Sequence, residues 1–318
     1  MFNECSSLTA VEIPEGVTEI GHHAFASCTN LTSVNLPGSI TKIGEYAFSY
    51  CRILAQVSIP KSVIIIEEGA FNNCFSLASI EVPDDITYIG SMAFTATPFY
   101  SNQPDGLLYF GKVLYAYKGE MPENTSIQVR EGTTCITGSA FSGYGNLTSI
   151  NIPESVESIG MYAFYRCAGL TSVEIPGKIR KIDEGVFSRC TGLTSISIPA
   201  NVAAINYEAF LNCSALEHIY NYAETPARCS EDVFSGVPTE TCVLHVPHGS
   251  IDAYKVANRW NAFVNIVDDL AGIEEVEAAN GAENVPAEYY DMRGMKVSQP
   301  KGGIFIKKQG KNVSKVIL

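Results

Sequence analysis

The sequence predicts a β-rich solenoid, a right-handed stack of short repeated coils, and three observations point there. Prolines fall at Pro14, Pro37, Pro60 and Pro83, then at Pro153, Pro176 and Pro199, 23 residues apart within each group. Phenylalanines (Phe2, Phe25, Phe48, Phe71, Phe94, then Phe141, Phe164, Phe187, Phe210) and cysteines (Cys5, Cys28, Cys51, Cys74, then Cys167, Cys190, Cys213) keep the same step. A leucine opens each unit at Leu8, Leu31, Leu54, Leu77, Leu147, Leu170, Leu193 and Leu216. Several residue types share one period, and so short a unit cannot bury its own apolar side, so the copies must stack.

Each part of the unit has a physical reading. In Leu31-Thr-Ser-Val34-Asn-Leu36-Pro37, alternation around Val34 and Leu36 predicts a strand with one buried face. Pro37 donates no ladder hydrogen bond and ends it. Ile40 and Ile43 follow, then Gly44, which permits a turn. The spacing of Ala47-Phe48-x-x-Cys51 predicts a short helical turn. Between Leu77 and Leu147, Ile127-Gln-Val129, Ile136 and Ala140-Phe141 form a degenerate unit in which Arg130 replaces the proline. The two apolar runs around Phe110-Gly111-Lys112 predict a hairpin interrupting the stack, over about 98–123.

After Phe210 the pattern drifts. Cys242–Pro247 reads as a final strand, and Ser250 is placed to N-cap a helix with Asp252 in its first turn. Tyr254, Ala257, Trp260 and Phe263 would line one face of that helix, closing the last coil as a cap over about 229–268. The expected organisation is therefore a solenoid over 1–268, an acidic linker over 269–288 and a small β tail over 289–318. Phe2 aligns with Phe25, so Met1 stands where the unit has alanine, and the native protein is expected to extend further.

Composition narrows function. The 34 acidic and 21 basic side chains give a formal charge of −13, unlike the basic face of a nucleic-acid binder. No apolar run approaches the ~18 residues of a membrane-spanning helix, and Met1–Cys5 holds neither a charged nor an apolar leader region, so no signal peptide is expected within this chain.

The unit Leu-x-x-Val-x-Ile-Pro-x-x-Val-x-x-Ile-Gly-x-x-Ala-Phe-x-x-Cys resembles the BspA-like leucine-rich repeats, over roughly residues 2–268. The segments Gly106–Gly119 and Cys242–Ser250 are also similar to features of that family, and the tail around Tyr290–Val297 and Gly303–Ile306 is similar to type IX secretion sorting domains. The resemblance implies a leucine-rich-repeat solenoid on a secreted or outer-membrane-attached bacterial surface protein. It implies an adhesin whose partners are host extracellular or bacterial surface proteins, or glycans. The chain departs from the pattern at Thr97 and Tyr144, which replace the cysteine, and at Arg130.

The motif chemistry is sparse. A 23-residue step between cysteines is unlike metal-ligand spacing. Stacked coils put ladder cysteines about 5 Å apart, within disulfide reach, but their parallel side chains favour reduced, space-filling thiols. Cys229 and Cys242 lie off the ladder and are candidates for a disulfide; Cys135 has no evident partner. His245-Val-Pro-His248 lacks a carboxylate or thiol in the same motif, so no metal is expected. No nucleophile elbow, phosphate-binding glycine loop or His-Glu-x-x-His is present, so neither enzyme activity nor a cofactor is expected.

The outward positions of the strands are the candidate binding face: Ser33 and Asn35, Gln56 and Ser58, Ser79 and Glu81, Ser149 and Asn151, Ser172 and Glu174, Ser195 and Ser197, His218 and Tyr220. The bland alternative is that solvated strands simply carry polar residues. Tyr109, Phe110, Tyr115 and Tyr117 of the insertion either pack on the solenoid or form a protruding contact surface. The expected function is non-enzymatic macromolecular binding. A spacer or aggregation module without a discrete ligand, and a glycan-binding accessory protein, are the alternatives.

Overall fold

The computed structural model describes residues 2–270 and, beyond them, the strand segments 288–290, 296–297, 304–309 and 312–317. The chain winds as a β-solenoid of about 11 turns. Each regular coil has three sides. The first is a strand such as Ser33–Asn35, paired in parallel with its neighbour one period away: Val11 opposite Val34, Val57 opposite Ile80, Ile127 opposite Ile150, and Val173, Ile196, Ile219, Leu244 and Ile266 in a continuous row. The second side is a two-residue strand that stacks Ile20, Ile43, Ile66 and Ile89, and later Ile136 and Ile159, the former also beside Leu114 of the longer strand Val113–Lys118. The proline between the two sides opens a turn, as where Ile40 N–H donates to the Pro37 carbonyl at 3.2 Å.

The third side differs from the helical turn expected for Ala47-Phe48-x-x-Cys51. It is a run of tight turns in which Tyr46 (φ 51°) and Tyr50 (φ 60°) are left-handed. Ala47, Ser49 and Cys51 donate N–H bonds to carbonyls three residues back, whereas Tyr46, Phe48 and Tyr50 donate to Glu68, Ala70 and Asn72 of the next coil. Every second N–H thus joins neighbouring coils, which a helix would prevent by consuming its own donors.

Inside, the phenylalanines form two columns. Phe2, Phe25, Phe48, Phe71 and Phe94 stack at 5.3–6.0 Å, and Phe141, Phe164, Phe187, Phe210 and Phe234 at 5.4–5.8 Å. Beside them the ladder thiols of Cys28, Cys51, Cys74, Cys167, Cys190 and Cys213 donate to the phenylalanine carbonyl of the preceding coil, as Cys51 Sγ to Phe25 O at 3.2 Å and Cys190 Sγ to Phe164 O at 3.0 Å. Burial pushes the Cys51 and Cys190 thiols up to about 12, holding them protonated. All the described cysteines are unbridged. Cys229 belongs to a short-strand side (Arg228–Cys229) and Cys242 directly precedes a long strand (Val243–Pro247), so the disulfide considered for this pair does not form.

The columns are separated by the insertion, where Gly106–Phe110 and Val113–Lys118 form an antiparallel hairpin. The three departures from the repeat all serve it. Thr97, in a cysteine slot, accepts from Tyr100 N–H at 3.1 Å and caps the short helix Pro98–Ser101. Arg130, in a proline slot, donates its N–H to the Tyr109 hydroxyl at 3.1 Å, which proline could not. Tyr144, in the other cysteine slot, donates its hydroxyl to the Tyr117 and Gly119 carbonyls at 3.1 and 3.2 Å.

The cap corrects two expectations. Val243–Pro247 is not the last strand, because Asn265–Leu270 pairs beside it. The helix is only Ile251–Val256, and Ser250 makes no side-chain cap bond; a 3-10 turn, Trp260–Ala262, follows separately. Trp260 and Phe263 close over Phe234 at 4.9 and 5.0 Å, while the Tyr254 hydroxyl and the Trp260 indole N–H donate to the Ala223 and Ala227 carbonyls at 2.7 and 2.9 Å. The last strand of the solenoid, Asn265–Leu270, spans the position 268 expected to close it. Among the described tail residues, Glu288–Tyr290, Lys296–Val297, Ile304–Gln309 and Asn312–Ile317 form an antiparallel sheet. The linker over 269–288 and the sorting motifs lie largely outside the described residues.

Candidate functional site

Parallel pairing at one-period register turns each outward position into a row across the long-strand sheet. Ser33, Asn35, Gln56, Ser58, Ser79, Glu81, Asn151, Ser172 and Glu174 are exposed there, and Ser149, Ser195, Ser197, His218 and Tyr220 are half-buried. Side chains bond along the rows: Ser149 Oγ donates to Ser126 Oγ at 2.6 Å, and Asn151 Nδ2 to Gln128 Oε1 at 2.8 Å. Ser126 and Gln128 were absent from the candidate face, although each lies one period before a residue that was included.

The insertion aromatics divide. Phe110 and Tyr115 are buried in the core, ringed with Phe94 and Phe99, and Phe94 N–H donates to the Tyr115 hydroxyl at 3.1 Å. They replace the interrupted phenylalanine column, so a protruding contact surface is excluded for these two. Tyr109 lies beneath the Arg130 guanidinium, 4.4 Å from its ring centre, and Tyr117 packs on Tyr144 at 4.9 Å. Both are partly buried against the second core.

Large rings gather only near the C-terminal edge of the face. His218 and Tyr220 on one strand (His218–Asn221) meet His245 on the next. Tyr220 stacks on His245 at 4.4 Å and 19°, and His218 Nδ1 lies 3.0 Å from His245 Nε2. The opposite nitrogen, His245 Nδ1, is 2.9 Å from both oxygens of Asp269. Because an Asp269 carboxylate only accepts, His245 Nδ1–H is the donor in that contact, and the His218 Nδ1–His245 Nε2 bond links the two rings in a direction set by their tautomers. Sequence periodicity missed His245 and Asp269, because the preceding coil has two extra residues and Asp269 falls beyond the expected boundary.

Beside the rings is a notch of about 140 Å³ lined by Ser172, Val173, Glu174, Ser195, Ser197, Tyr220 and Tyr222. Glu174, Ser197 and Tyr220 occupy one row, paired successively across three strands. A wider depression of about 500 Å³ at the corner of the first coils, between Glu12–Glu15 and Asn35–Gly38, contains no ring, histidine or nucleophile. Among the described residues no three His, Cys, Asp or Glu side chains converge on a metal-sized site, and no helix is long and apolar enough to cross a membrane.

Residues 1–104 and 113–239 match the BspA type Leucine rich repeat region, in six copies. Solved structures similar to the chain include a leucine rich cell surface protein from Faecalibacterium prausnitzii, 32% identical over 82% of this chain and 64% of that one (TM-score 0.44). The Pneumococcal vaccine antigen PcpA is 22% identical over 84% and 78% (TM-score 0.41), and a leucine-rich repeat protein from Bacteroides ovatus is 22% identical over 80% and 76% (TM-score 0.34). The chain therefore spans less than two thirds of the Faecalibacterium chain's length. No curated protein matches it.

Proposed function

Because the chain belongs to the BspA-type leucine-rich repeat family, whose repeats imply protein interaction at the cell surface, we propose that it is a non-enzymatic adhesin. It binds host extracellular or bacterial surface proteins along the long-strand sheet. The observation that supports this reading is the register of the long strands, which pair in parallel as three two-stranded sheets (Ala10–Glu12 with Ser33–Asn35, Gln56–Ser58 with Ser79–Glu81, Thr125–Gln128 with Leu147–Asn151) and one five-stranded sheet from Ser172–Glu174 to Asn265–Leu270, each carrying outward polar side chains. A surface of this kind binds by summing modest contacts, and rigid backbone keeps the ordering cost small.

The test is titration of the purified protein against immobilised matrix and plasma proteins and a glycan panel, with a hydrolase substrate panel alongside. Micromolar capture of a protein ligand is expected. Binding to glycans alone favours the accessory-protein reading; binding to neither class favours a spacer. Turnover in the substrate panel overturns the non-enzymatic reading. A variant lacking residues 98–123 would be a poor probe of the insertion, since Phe110 and Tyr115 complete the core.

A further inference from the structure

We infer that His218 and His245 form a pH-sensitive latch at the C-terminal edge of the long-strand face, closed at neutral pH and opened by acid. The inference goes beyond the adhesin reading and does not depend on which ligand the face binds.

The geometry admits one proton between the two rings. His218 Nδ1 and His245 Nε2 are 3.0 Å apart, the length of a hydrogen bond with one donor and one acceptor. His245 Nδ1, 2.9 Å from both oxygens of Asp269, carries a hydrogen of its own and points it at the carboxylate. The three residues stand on three consecutive strands, His218–Asn221, Val243–Pro247 and Asn265–Leu270, so backbone pairing fixes their spacing. Tyr220 stacks on His245 at 4.4 Å and 19° and holds that ring in its plane.

One proton taken from solvent leaves the contact intact. Whichever ring carries the charge, a single hydrogen still lies between Nδ1 and Nε2, and Asp269 faces the cation. A second proton gives each ring two N–H groups. Two donors then meet across 3.0 Å with no lone pair between them, beside a His245 side chain only 11% exposed, where water screens little of the repulsion. The contact has to open. Asp269 and Tyr220 keep His245 in place, whereas His218 pairs with no carboxylate among the described residues and is the ring that turns away.

The surrounding groups do not offset the second charge. Exposed Glu217 precedes His218, and the neighbouring strand, Ser195–Ile198, presents only serines outward. Glu174 stands two strands from His218. Asp268 is engaged by His248 at 3.4 Å, and the cap helix Ile251–Val256 brings Asp252 and Lys255, whose charges cancel. Asp269 is the one carboxylate bonded to the pair, so it balances one added proton and not two.

The test is a titration of the isotope-labelled full chain by NMR, from about pH 7.5 to about pH 5, on either side of the ordinary histidine range near about 6.5. Ring nitrogen shifts report protonation, and a cross-peak between the ring protons of His218 and His245 reports the contact. Trp260 emission and circular dichroism report the fold. The cross-peak should be present at the upper pH and lost at the lower, with Tyr220 resonances moving and Trp260 emission unchanged. His218→Asn should abolish the response: its amide donates to His245 Nε2 at the upper pH and, turned over, accepts from Nε2–H at the lower. His248→Gln should leave the response as in wild type. A cross-peak that survives with both rings protonated overturns the latch, and so do rings that are not both protonated at the lower pH. A response that persists in His218→Asn or vanishes in His248→Gln also overturns it, as does Trp260 emission that shifts in step, which would mean that the cap melts. None of these readouts involves a ligand, so the latch and the adhesin reading stand or fall separately.

Discussion

Truncating one ring in the middle of a phenylalanine column tests whether the columns hold the solenoid together. Phe164 is fully buried, stacked on Phe141 at 5.4 Å and 3° and on Phe187 at 5.5 Å and 2°. Losing the burial of the side chain costs about 1.5–3 kcal/mol. Losing two ring contacts adds about 0.5–1.5 kcal/mol each. The sum, about 2.5–6 kcal/mol, brackets the 3–5 kcal/mol usual for a buried Phe→Ala change. Coupling is the sharper test. Phe164 and Phe187 touch, so their double mutant should deviate from additivity by about 0.5–1.5 kcal/mol. Phe164 and Phe71 lie in cores separated by the insertion, so they should add within about 0.5 kcal/mol. Urea unfolding followed by far-ultraviolet circular dichroism, with fluorescence of the single tryptophan, Trp260, reporting the C-terminal cap, reads both. A cost under about 1 kcal/mol for Phe164→Ala, or equal coupling for the two pairs, would refute the reasoning.

Three further outcomes are expected. A Cβ on Gly44 would stand 2.6 Å from the Ile20 carbonyl oxygen, so Gly44→Ala should lose about 1–3 kcal/mol in thermal unfolding, whereas Gly38→Ala, with nothing within 4 Å, should be near neutral. At the left-handed, exposed Tyr50, glycine should at least match wild-type stability, while Tyr50→Val should lose about 1–2 kcal/mol in chemical denaturation. The thiols of Cys51 and Cys190 are raised to about 12 by burial, so the fold favours their protonated form. That contribution is complete below the ordinary thiol range near about 8.5 and is lost as pH rises toward the folded values. Melting temperatures should therefore fall above about pH 9, and the fall should be shallower in Cys51→Ala, although that variant starts less stable at neutral pH.

Much of the candidate face was legible because strand periodicity says which residues point outward. Ser33 and Asn35 are exposed while Val34 between them is buried, as alternation requires. The rings were only half legible. His218 and Tyr220 kept the period, but His245 is displaced from it by two residues and became part of the site only when parallel pairing set it opposite Tyr220. For Phe110 and Tyr115 the sequence left packing and projection both open, because alternation inside a hairpin says nothing about whether that hairpin projects or plugs a gap; they pack in the core.

By itself the sequence determined the stack: a 23-residue recurrence of Leu, Pro, Phe and Cys has no partner for its apolar side except another copy of itself. It could not decide what happens where the recurrence lapses. There the outcome depends on which groups meet across coils: Arg130 N–H with the Tyr109 hydroxyl, Tyr144 with the Tyr117 and Gly119 carbonyls, Asp269 with His245. Periodicity is a local property of the chain, and these pairings exist only once the coils have closed on one another.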